Sequence, residues 1–248
     1  MREVRVTVRE LHEIGEFADV HRLFDAIWHP DPANPPVTVE LMRVFSHAGG
    51  YVAGAYEDGE LVGACVGLLA SGNSLHSHVT GAVPGRGVGH ALKSHQRRWC
   101  LERGIDRITW TYDPLVRRNA YFNIAKLGAR PFEYVENFYG RMADAINEGD
   151  ESDRLVVEWL LKEEVVARRP DEGVAALVEV EGGPVRGPAH GPVVLVGTPS
   201  DIETLRRRDP GAGRAWRYAM REVLGGLMAG GGQVTGFTKK GDYVVSAG

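Results

Sequence analysis

A glycine-rich turn between a strand and a helix constrains the fold of this chain more than any other feature. The turn Pro84-Gly-Arg-Gly-Val-Gly89 follows a run typical of a strand, His76 to Val83, and leads into a helical run that ends at Gly104. Closely spaced glycines let the backbone approach an anion, and the free N–H groups of the helix start point toward it. Arg86 adds charge-assisted donors. The pattern predicts a phosphate-binding turn, and a plain tight turn is the alternative.

The position of the turn argues against two nucleotide-binding folds. A dinucleotide-binding fold carries its glycines after the first strand of a parallel sheet, whereas here a hairpin and about eighty residues precede them. A P-loop needs a lysine directly after the glycines, and Lys93 lies a full turn too late. We therefore expect that the turn binds an anionic ligand, but not through a dinucleotide-binding fold or a P-loop.

Composition indicates a folded protein that binds neither nucleic acid nor membranes. Of 248 residues, 43% are hydrophobic and 25% charged, and the net charge of -4 lacks the basic excess that phosphate neutralisation requires. Two cysteines, Cys65 and Cys100, make no disulfide framework or metal-thiolate set. The first residues lack the apolar core of a signal peptide, and no run reaches membrane-spanning length. We expect a cytoplasmic protein.

Apolar periodicity predicts one mixed α/β domain over residues 1–164. Four prolines between His29 and Val37 force a loop there, which could cover a site. The predicted strands are Val4–Val8, Tyr51–Tyr56, Leu61–Leu69, His76–Val83, Arg107–Tyr112, Phe132–Tyr139 and Leu155–Leu161, and the helices are Phe17–Trp28, Val39–Ser46, Gly87–Arg103 and Arg118–Leu127.

The remainder of the chain divides into two predicted parts. Residues 165–192 are rich in Gly, Pro, Val and Glu and form a connecting region with one candidate strand, Val174–Val180. Residues 193–248 form a C-terminal extension of a strand, a short helix capped by Ser200, a helix over Ala215–Met228 and a final hairpin. The charge run Leu205 to Arg208 is typical of a solvated helix end.

The segment around the turn resembles the GCN5-related N-acetyltransferase (GNAT) superfamily, and the resemblance covers Val4 to Leu161. Gly87 and Gly89 take the two small positions of the family's pyrophosphate turn, Arg86 lies inside it, and Pro84 occupies the leading Arg/Gln position. The resemblance implies a mainly antiparallel central sheet flanked by helices, with a C-terminal extension, and acetyl-CoA or another acyl-CoA as co-substrate without a metal. It predicts coenzyme contacts from Val79, Val83, Gly85, Arg86, Gly87, Val88 and Gly89.

A second segment, Arg117 to Ala129, resembles the family's region beside the coenzyme. Ala120, Lys126 and Gly128 match, but Ile124 stands where the family often has a tyrosine that protonates the thiolate. The family's general acid therefore cannot be carried over, and Tyr121 and Tyr139 are the candidate substitutes. Asn119 and Asn123, four residues apart, are predicted to share a helix face toward the coenzyme, and Asn119 could also be a helix-start residue.

The resemblance implies that an amine attacks the thioester directly, while a base collects the amine proton. His76 and His78 lie two apart on a strand, so both point to one face, and histidine is suited to proton transfer. Both are the leading base candidates, and a solvated or satisfied polar pair is the alternative. Asp113 could orient an amine or a histidine, and an aspartate before proline is also a common turn former. A third metal ligand with a recognisable spacing is lacking.

The acceptor is predicted to be the amine of a small molecule. The strings Leu-His-Ser-His, Thr-Trp-Thr-Tyr-Asp-Pro-Leu and Arg-Asn-Ala-Tyr-Phe-Asn resemble a long-form branch of the family that is associated with N-acylation of amino acids, including N-succinylation. Arg117, Arg118 and Arg154 are available for an acidic acyl group. A homodimer is compatible with this prediction. Two alternatives are a coenzyme-A-binding regulatory protein with weak catalysis and an acetyltransferase of protein lysines.

Overall fold

The computed structural model describes residues 6–85, 87–140, 150–163 and 172–246. By its internal contacts the chain divides into two compact units, Met1–Trp110 with Leu160–Lys162 and Thr111–Trp159 with Glu163–Gly248. This division differs from the predicted boundaries at residues 164 and 192, of which residue 164 lies outside the described residues. No helix in the described ranges combines the length and the apolar character needed to cross a membrane.

The first unit is built on a sheet with the strand order β1-β2-β3-β4-β5. The first four strands are antiparallel to their neighbours, and β5 is parallel to β4. The mixed, mainly antiparallel sheet flanked by helices is the predicted fold class, which is thereby confirmed. Its elements are β1 Thr7–Glu10, α1 Ile14–Trp28, α2 Val39–His47, β2 Tyr51–Glu57, β3 Glu60–Ala70, β4 Ser74–Ala82, α3 Val88–Glu102 and β5 Arg107–Tyr112, whose last residues belong to the second unit.

Local sequence explains how the first unit folds. Asp58 and Gly59 both have positive φ, at 50° and 88°, as the two-residue turn between β2 and β3 requires. One face of the sheet packs against α1 and α2 through a core that includes Phe17, Phe24 and Met42. The other face packs against α3, whose Val88 and Leu92 lie where a side chain at Gly63 would be. The sheet is therefore covered on both faces.

The second unit contains an antiparallel pair, β6 with β7, and a five-stranded sheet in the order β11-β12-β10-β8-β9. In that sheet only the β10–β8 pairing described is parallel. The elements are α4 Arg117–Ala120, which continues as a π turn Tyr121–Lys126, β6 Arg130–Val135, β7 Arg154–Leu160, β8 Val174–Val180, β9 Gly183–Arg186, β10 Val193–Gly197, α5 Ile202–Arg208, α6 Pro210–Met220, a second π turn Arg221–Gly225, α7 Gly226–Ala229, β11 Gln233–Phe237 and β12 Asp242–Ser246.

Several predicted elements of the second unit need correction. The candidate strand Val174–Val180 is confirmed as β8, but it continues into a hairpin with β9 that was not predicted, because Glu181 and Gly182 adopt the positive φ values of a tight turn. The cap of α5 is Asp201, whose carboxylate accepts from Thr204 N at 3.1 Å. Ser200 instead donates to Glu179. The strand predicted to end at Tyr139 ends at Val135, before a turn at Asn137, where φ is 47°.

Candidate active site

A β-bulge interrupts strand β4 beside the predicted coenzyme turn. Val79 pairs with Val66 of β3, and Ser77 pairs with the next residue, Gly67, so that His78 is an extra residue on β4. A bulge redirects the backbone groups of the residues around it and increases the local twist. The backbone N–H groups near His78 and Val79 therefore depart from the regular hydrogen-bonding pattern between β3 and β4.

The free edge of β4 begins close to this bulge. In the described register, β4 pairs with β5 at Ser74, Leu75 and His76, and the pairing ends at the His76–Thr109 pair. Strand β4 continues to Ala82. Its edge from Ser77 to Ala82 is thus left without a strand partner on that side, and a ligand can bind to its backbone there, as an added strand would.

The turn that follows β4 has the backbone geometry of an anion site. Gly85 and Gly87 have φ values of 89° and 71°, which favour glycine strongly. A Cβ atom at either residue would meet no described residue within 4 Å, so the space in front of the turn is open among the described residues. Glycine is required here by the backbone and not by packing. The same open space would be partly filled by any side chain.

The start of α3 supplies donors to that space. Gly87 is the N-cap and makes no side-chain cap bond, and the first helical hydrogen bond runs from Ala91 N to Gly87 O at 3.0 Å. The N–H groups of Val88, Gly89 and His90 therefore precede the helical ladder. A helix start of this kind attracts phosphate oxygens through its N–H groups and its dipole.

The other residues of this segment that are predicted to contact the coenzyme offer it few side chains. Arg86 lies outside the described residues. The N–H of Val83 donates to Val62 O at 2.9 Å and is committed to the sheet, and the side chain of Val88 is buried. Val79 packs against the core on the α1 and α2 face. Backbone groups, rather than these side chains, are what the segment offers to a ligand.

His76 and His78 point away from α3. Ser77, the residue between them, turns its hydroxyl toward Lys93 of α3. His76 Nδ1 lies 3.1 Å from Thr109 Oγ1, and His78 Nε2 lies 2.9 Å from Pro36 O in the proline-rich loop. A carbonyl oxygen only accepts, so Nε2 of His78 carries a proton, and the Nδ1 of a neutral His78 is left with the lone pair.

The environment of His76 favours its neutral form. Burial lowers the pKa of His76, and electrostatic interaction with His78 and Lys93 lowers it further. A histidine with a lowered pKa is unprotonated at neutral pH and can accept a proton. His76 thus has the protonation state that a general base needs, and His78 has the greater exposure.

Lys93, which lies too late in the sequence to be the lysine of a P-loop, is a buried cation behind β4. Its Nζ donates to Ser77 Oγ at 2.7 Å and to Gln96 Oε1 at 3.0 Å. The same atom lies 4.2 Å from the centre of the Trp110 ring. The available sequence signal was its position on the apolar side of α3, next to Leu92 and seven residues before Cys100.

In the second unit, Asp113 forms a buried ion cluster. Arg217 donates to both of its carboxylate oxygens at 2.9 and 2.8 Å, Arg206 donates to one at 2.8 Å, and Leu115 N donates to the other. Burial would raise the pKa of Asp113, but the guanidinium groups of Arg217 and Arg206 outweigh it and hold this pKa well below its usual range. Asp150 contacts the same two arginines.

These contacts change two expectations. Both carboxylate oxygens of Asp113 are engaged by arginines and Leu115 N, so the contacts favour a structural role over the predicted orientation of an amine or a histidine. The predicted solvated charge run is wrong for Arg206, which is 2% exposed because it lies one helical turn after the buried Ile202.

The predicted residues of α4 and the first π turn do not share one environment. Asn119 is exposed and Asn123 is buried, because the π turn begins at Tyr121 and shifts the residues after it around the helix axis. The predicted common face of the two asparagines is therefore corrected. Tyr121 is partly exposed, with Lys126 Nζ 5.8 Å from its ring centre. The roles of these three residues stay predictions.

The arginines considered for an acidic acyl group have partners within the second unit. Arg117 binds the hydroxyl and carbonyl oxygens of Thr198, and Arg118 makes two hydrogen bonds to Glu203. Arg154 is buried and donates to Asp153 O. Within the described residues, no three His, Cys, Asp or Glu side chains come together as a metal site.

Comparison with known proteins identifies the fold by structure. No protein-family model matches the sequence, and no curated protein does. Among solved structures, ribosomal-protein-S5-alanine acetyltransferase from Vibrio fischeri has 13% identity and a TM-score of 0.50, over 66% of this chain and 97% of its own. Aminoglycoside 6'-acetyltransferase type Ii has 15% identity and a TM-score of 0.50, over 64% of this chain and 99% of its own.

A proposed acetyltransferase of the GNAT family from Desulfovibrio desulfuricans has 16% identity and a TM-score of 0.51, over 63% of this chain and 99% of its own. Nearly whole acetyltransferase chains therefore match about two thirds of this one. The fourth strand, the glycine turn and the helix after it are the features that the sequence resemblance predicts, and the bulge in β4 is an addition from the structure. This chain has the GNAT acetyltransferase fold.

Proposed function

We propose that this protein transfers an acyl group from an acyl-CoA to the amine of a small molecule. The proposal rests on three structural features that follow one another along one short segment. They are the bulge at His78, the edge of β4 from Ser77 onward that pairs with no strand in the described register, and the open glycine turn at the start of α3. A long thioester with a diphosphate can bind to such a segment at both ends at once.

Acyl-CoA suits these groups chemically. The diphosphate would accept from the N–H groups of Val88, Gly89 and His90, and Gly85 and Gly87 leave room for it. The pantetheine arm would bind along the free edge of β4 through backbone hydrogen bonds. The carbonyl oxygen of the thioester would then lie at the bulge, where N–H groups stabilise negative charge.

The reaction needs one base and no covalent enzyme intermediate. The amine nitrogen attacks the thioester carbon, the C–N bond forms and the C–S bond breaks, and the thiolate leaves and takes up the proton that the amine gives up. The amine loses its proton to a histidine. A base is needed because aliphatic amines are mostly protonated at neutral pH. His76 and His78 lie on the same face as the proline-rich loop, and we assign this role to one of them.

Two further observations support the choice of acceptor and acyl group. Pro36 of the proline-rich loop lies within hydrogen-bond distance of His78, so the loop narrows the approach to β4 and favours a small acceptor. The named acceptors of the two characterised neighbours, an aminoglycoside and a ribosomal protein alanine, are both amines. Arg117 and Arg118 have other partners, and we therefore propose acetyl rather than succinyl as the acyl group.

The proposal is tested by separating coenzyme binding from turnover. Acetyl-CoA binding is measured by calorimetry, and thiol release is measured with a panel of amino acids and simple amines, for the wild type, His76→Ala and His78→Ala. We expect all three proteins to bind acetyl-CoA and one variant to lose about 10²-fold or more in turnover. Absence of binding by the wild type would refute the proposal. Binding without turnover on small amines would indicate a protein acceptor or a regulatory role.

A further inference from the structure

Strand β4 has a polar network on its α3 side, opposite the histidines. Lys93 donates to Ser77 Oγ and Gln96 Oε1, and Gln96 Nε2 donates to Cys65 Sγ at 3.2 Å. Cys65 Sγ lies 3.0 Å from Thr80 Oγ1 and 3.6 Å from Ser77 Oγ. The network thus contacts β4 at Ser77 and Thr80. These two residues bracket the bulge residues, His78 and Val79.

A lysine in this position is unusual for a structural residue. Lys93 is 3% exposed, and none of its partners in the described part of the chain is a carboxylate. An ammonium group that is buried without a counterion costs stability, and a methionine would fill a similar volume without that cost. Burial accordingly lowers the pKa of Lys93. Such a cation is retained where its charge or its hydrogen bonds have a use.

We propose that Lys93 is a positioning residue for acyl transfer, which holds the β4 bulge in place and supplies positive potential behind the backbone that binds the thioester oxygen. The inference rests on the proposed function and deepens it. Negative charge develops on that oxygen during the attack, and a cation in a water-poor region acts on it more strongly than one in solvent. Lys93 acts through the strand and touches neither reactant.

The same charge acts on His76, which gives a measurable signature. The ionisable groups that act electrostatically on His76 in the described structure are His78 on its own strand and Lys93 on α3, behind the strand. Its contacts on β5 and β3, Thr109 and Leu68, carry no charge. Removing the charge of Lys93 should therefore raise the pKa of His76, whereas a purely structural loss would not.

The test uses three variants with two readouts. Lys93→Met removes the charge at similar length, Ser77→Ala removes one hydrogen bond and keeps the charge, and Arg98→Met removes an exposed cation from the same helix. The readouts are kcat and KM for acetyl-CoA transfer, and the NMR titration of the His76 ring, which is assigned with His76→Gln. Thermal unfolding shows that each variant is folded.

We expect Lys93→Met to lower kcat by about tenfold to hundredfold, with KM for acetyl-CoA within about twofold, and to raise the pKa of His76. Ser77→Ala should lower kcat without moving the His76 titration, and Arg98→Met should change neither. An unchanged kcat or an unchanged His76 titration in Lys93→Met would overturn the inference.

Two arms keep the inference separate from the proposed function and from misfolding. If the wild type acylates no amine, the proposed function fails, while the His76 titration still reports whether Lys93 is charged. If Lys93→Met does not fold, the ¹⁵N NMR signal of the Lys93 side chain in the wild type shows whether this side chain is charged. An ammonium group at neutral pH supports the inference, and a neutral amine contradicts it.

Discussion

At the scale of single residues, the site combines groups whose ionisation is set by burial. Lys93 and His76 both have lowered pKa values, and burial is the largest cause for each. Their positions on opposite sides of β4 mean that a charge on one is felt by the other through a thin layer of protein. The charge states of Lys93 and His76, and not only the shape of β4, would therefore contribute to acyl transfer at this strand.

The lowered pKa of His76 predicts how stability depends on pH. The unfolded state binds a proton at His76 at a higher pH than the folded state does, so protonation favours unfolding. The contribution of His76 is fully present above pH about 6.5, the ordinary pKa of histidine, and is lost as the pH falls through the lowered value.

Urea unfolding at about pH 7.5 and pH 5.5 measures this effect in the wild type and in His76→Gln. We expect the free energy of unfolding of the wild type to fall more steeply toward acid than that of the variant. Equal slopes for the two proteins would show that His76 is protonated as easily in the folded state as in the unfolded chain.

At the scale of elements, the two ends of α3 provide a matched pair of glycines. Gly87 begins the helix and Gly104 follows its end, and both have φ of 71°. In the part of the chain that the structure describes, a Cβ at either glycine would meet no atom within 4 Å. Gly87→Ala and Gly104→Ala should therefore cost similar backbone strain, about 1–2 kcal/mol each.

Only Gly87→Ala should weaken acetyl-CoA binding, by about tenfold or more, because its methyl group enters the space that the diphosphate would occupy. Calorimetric titration of both variants measures the difference. Equal affinities for the two variants would remove the glycine turn from the coenzyme site.

The positions of the glycines explain how much of the fold could be predicted from the sequence. The ends of several elements are marked by residues with positive φ, a conformation that few residue types other than glycine adopt: Asp58, Gly59, Gly85, Gly87 and Gly104. The strands and helices between them were predicted closely. The bulge at His78 was not predictable, because it depends on the register with β3 and leaves no local mark in the sequence.

Only part of the candidate site could be predicted from the sequence, because only part of it is formed by local features. The turn and the two histidines are local features of one segment and were identified from it. The role of Lys93 depends on Ser77, Gln96 and Trp110, which converge only in the fold. The split of Asn119 and Asn123 depends on a π turn, for which the residues give no clear signal.

At the scale of the whole molecule, the second unit joins the middle of the chain to its C-terminal part. Asp113 and Asp150 are each within hydrogen-bond or ion-pair distance of Arg206 and Arg217, from α5 and α6. All four side chains are buried. The C-terminal residues are thus part of the structure around Asp113 and not an independent appendage.

Arg217→Ala should destabilise the protein by about 3–5 kcal/mol, because it leaves two carboxylates buried with too little positive charge. The matched control is Arg118→Ala, which removes an ion pair from a side chain that is 67% exposed and should cost about 1 kcal/mol or less. Urea unfolding of both variants measures the two losses. Similar losses would mean that the cluster carries little of the stability of the second unit.

The central claim is tested most directly by mass spectrometry of small amines that have been incubated with acetyl-CoA and the wild-type protein, with Gly87→Ala as the comparison. The account predicts an amine whose mass rises by one acetyl group, with a matching release of free thiol and a slower reaction for the variant. Failure of the wild type to acetylate any amine or to bind acetyl-CoA would contradict it.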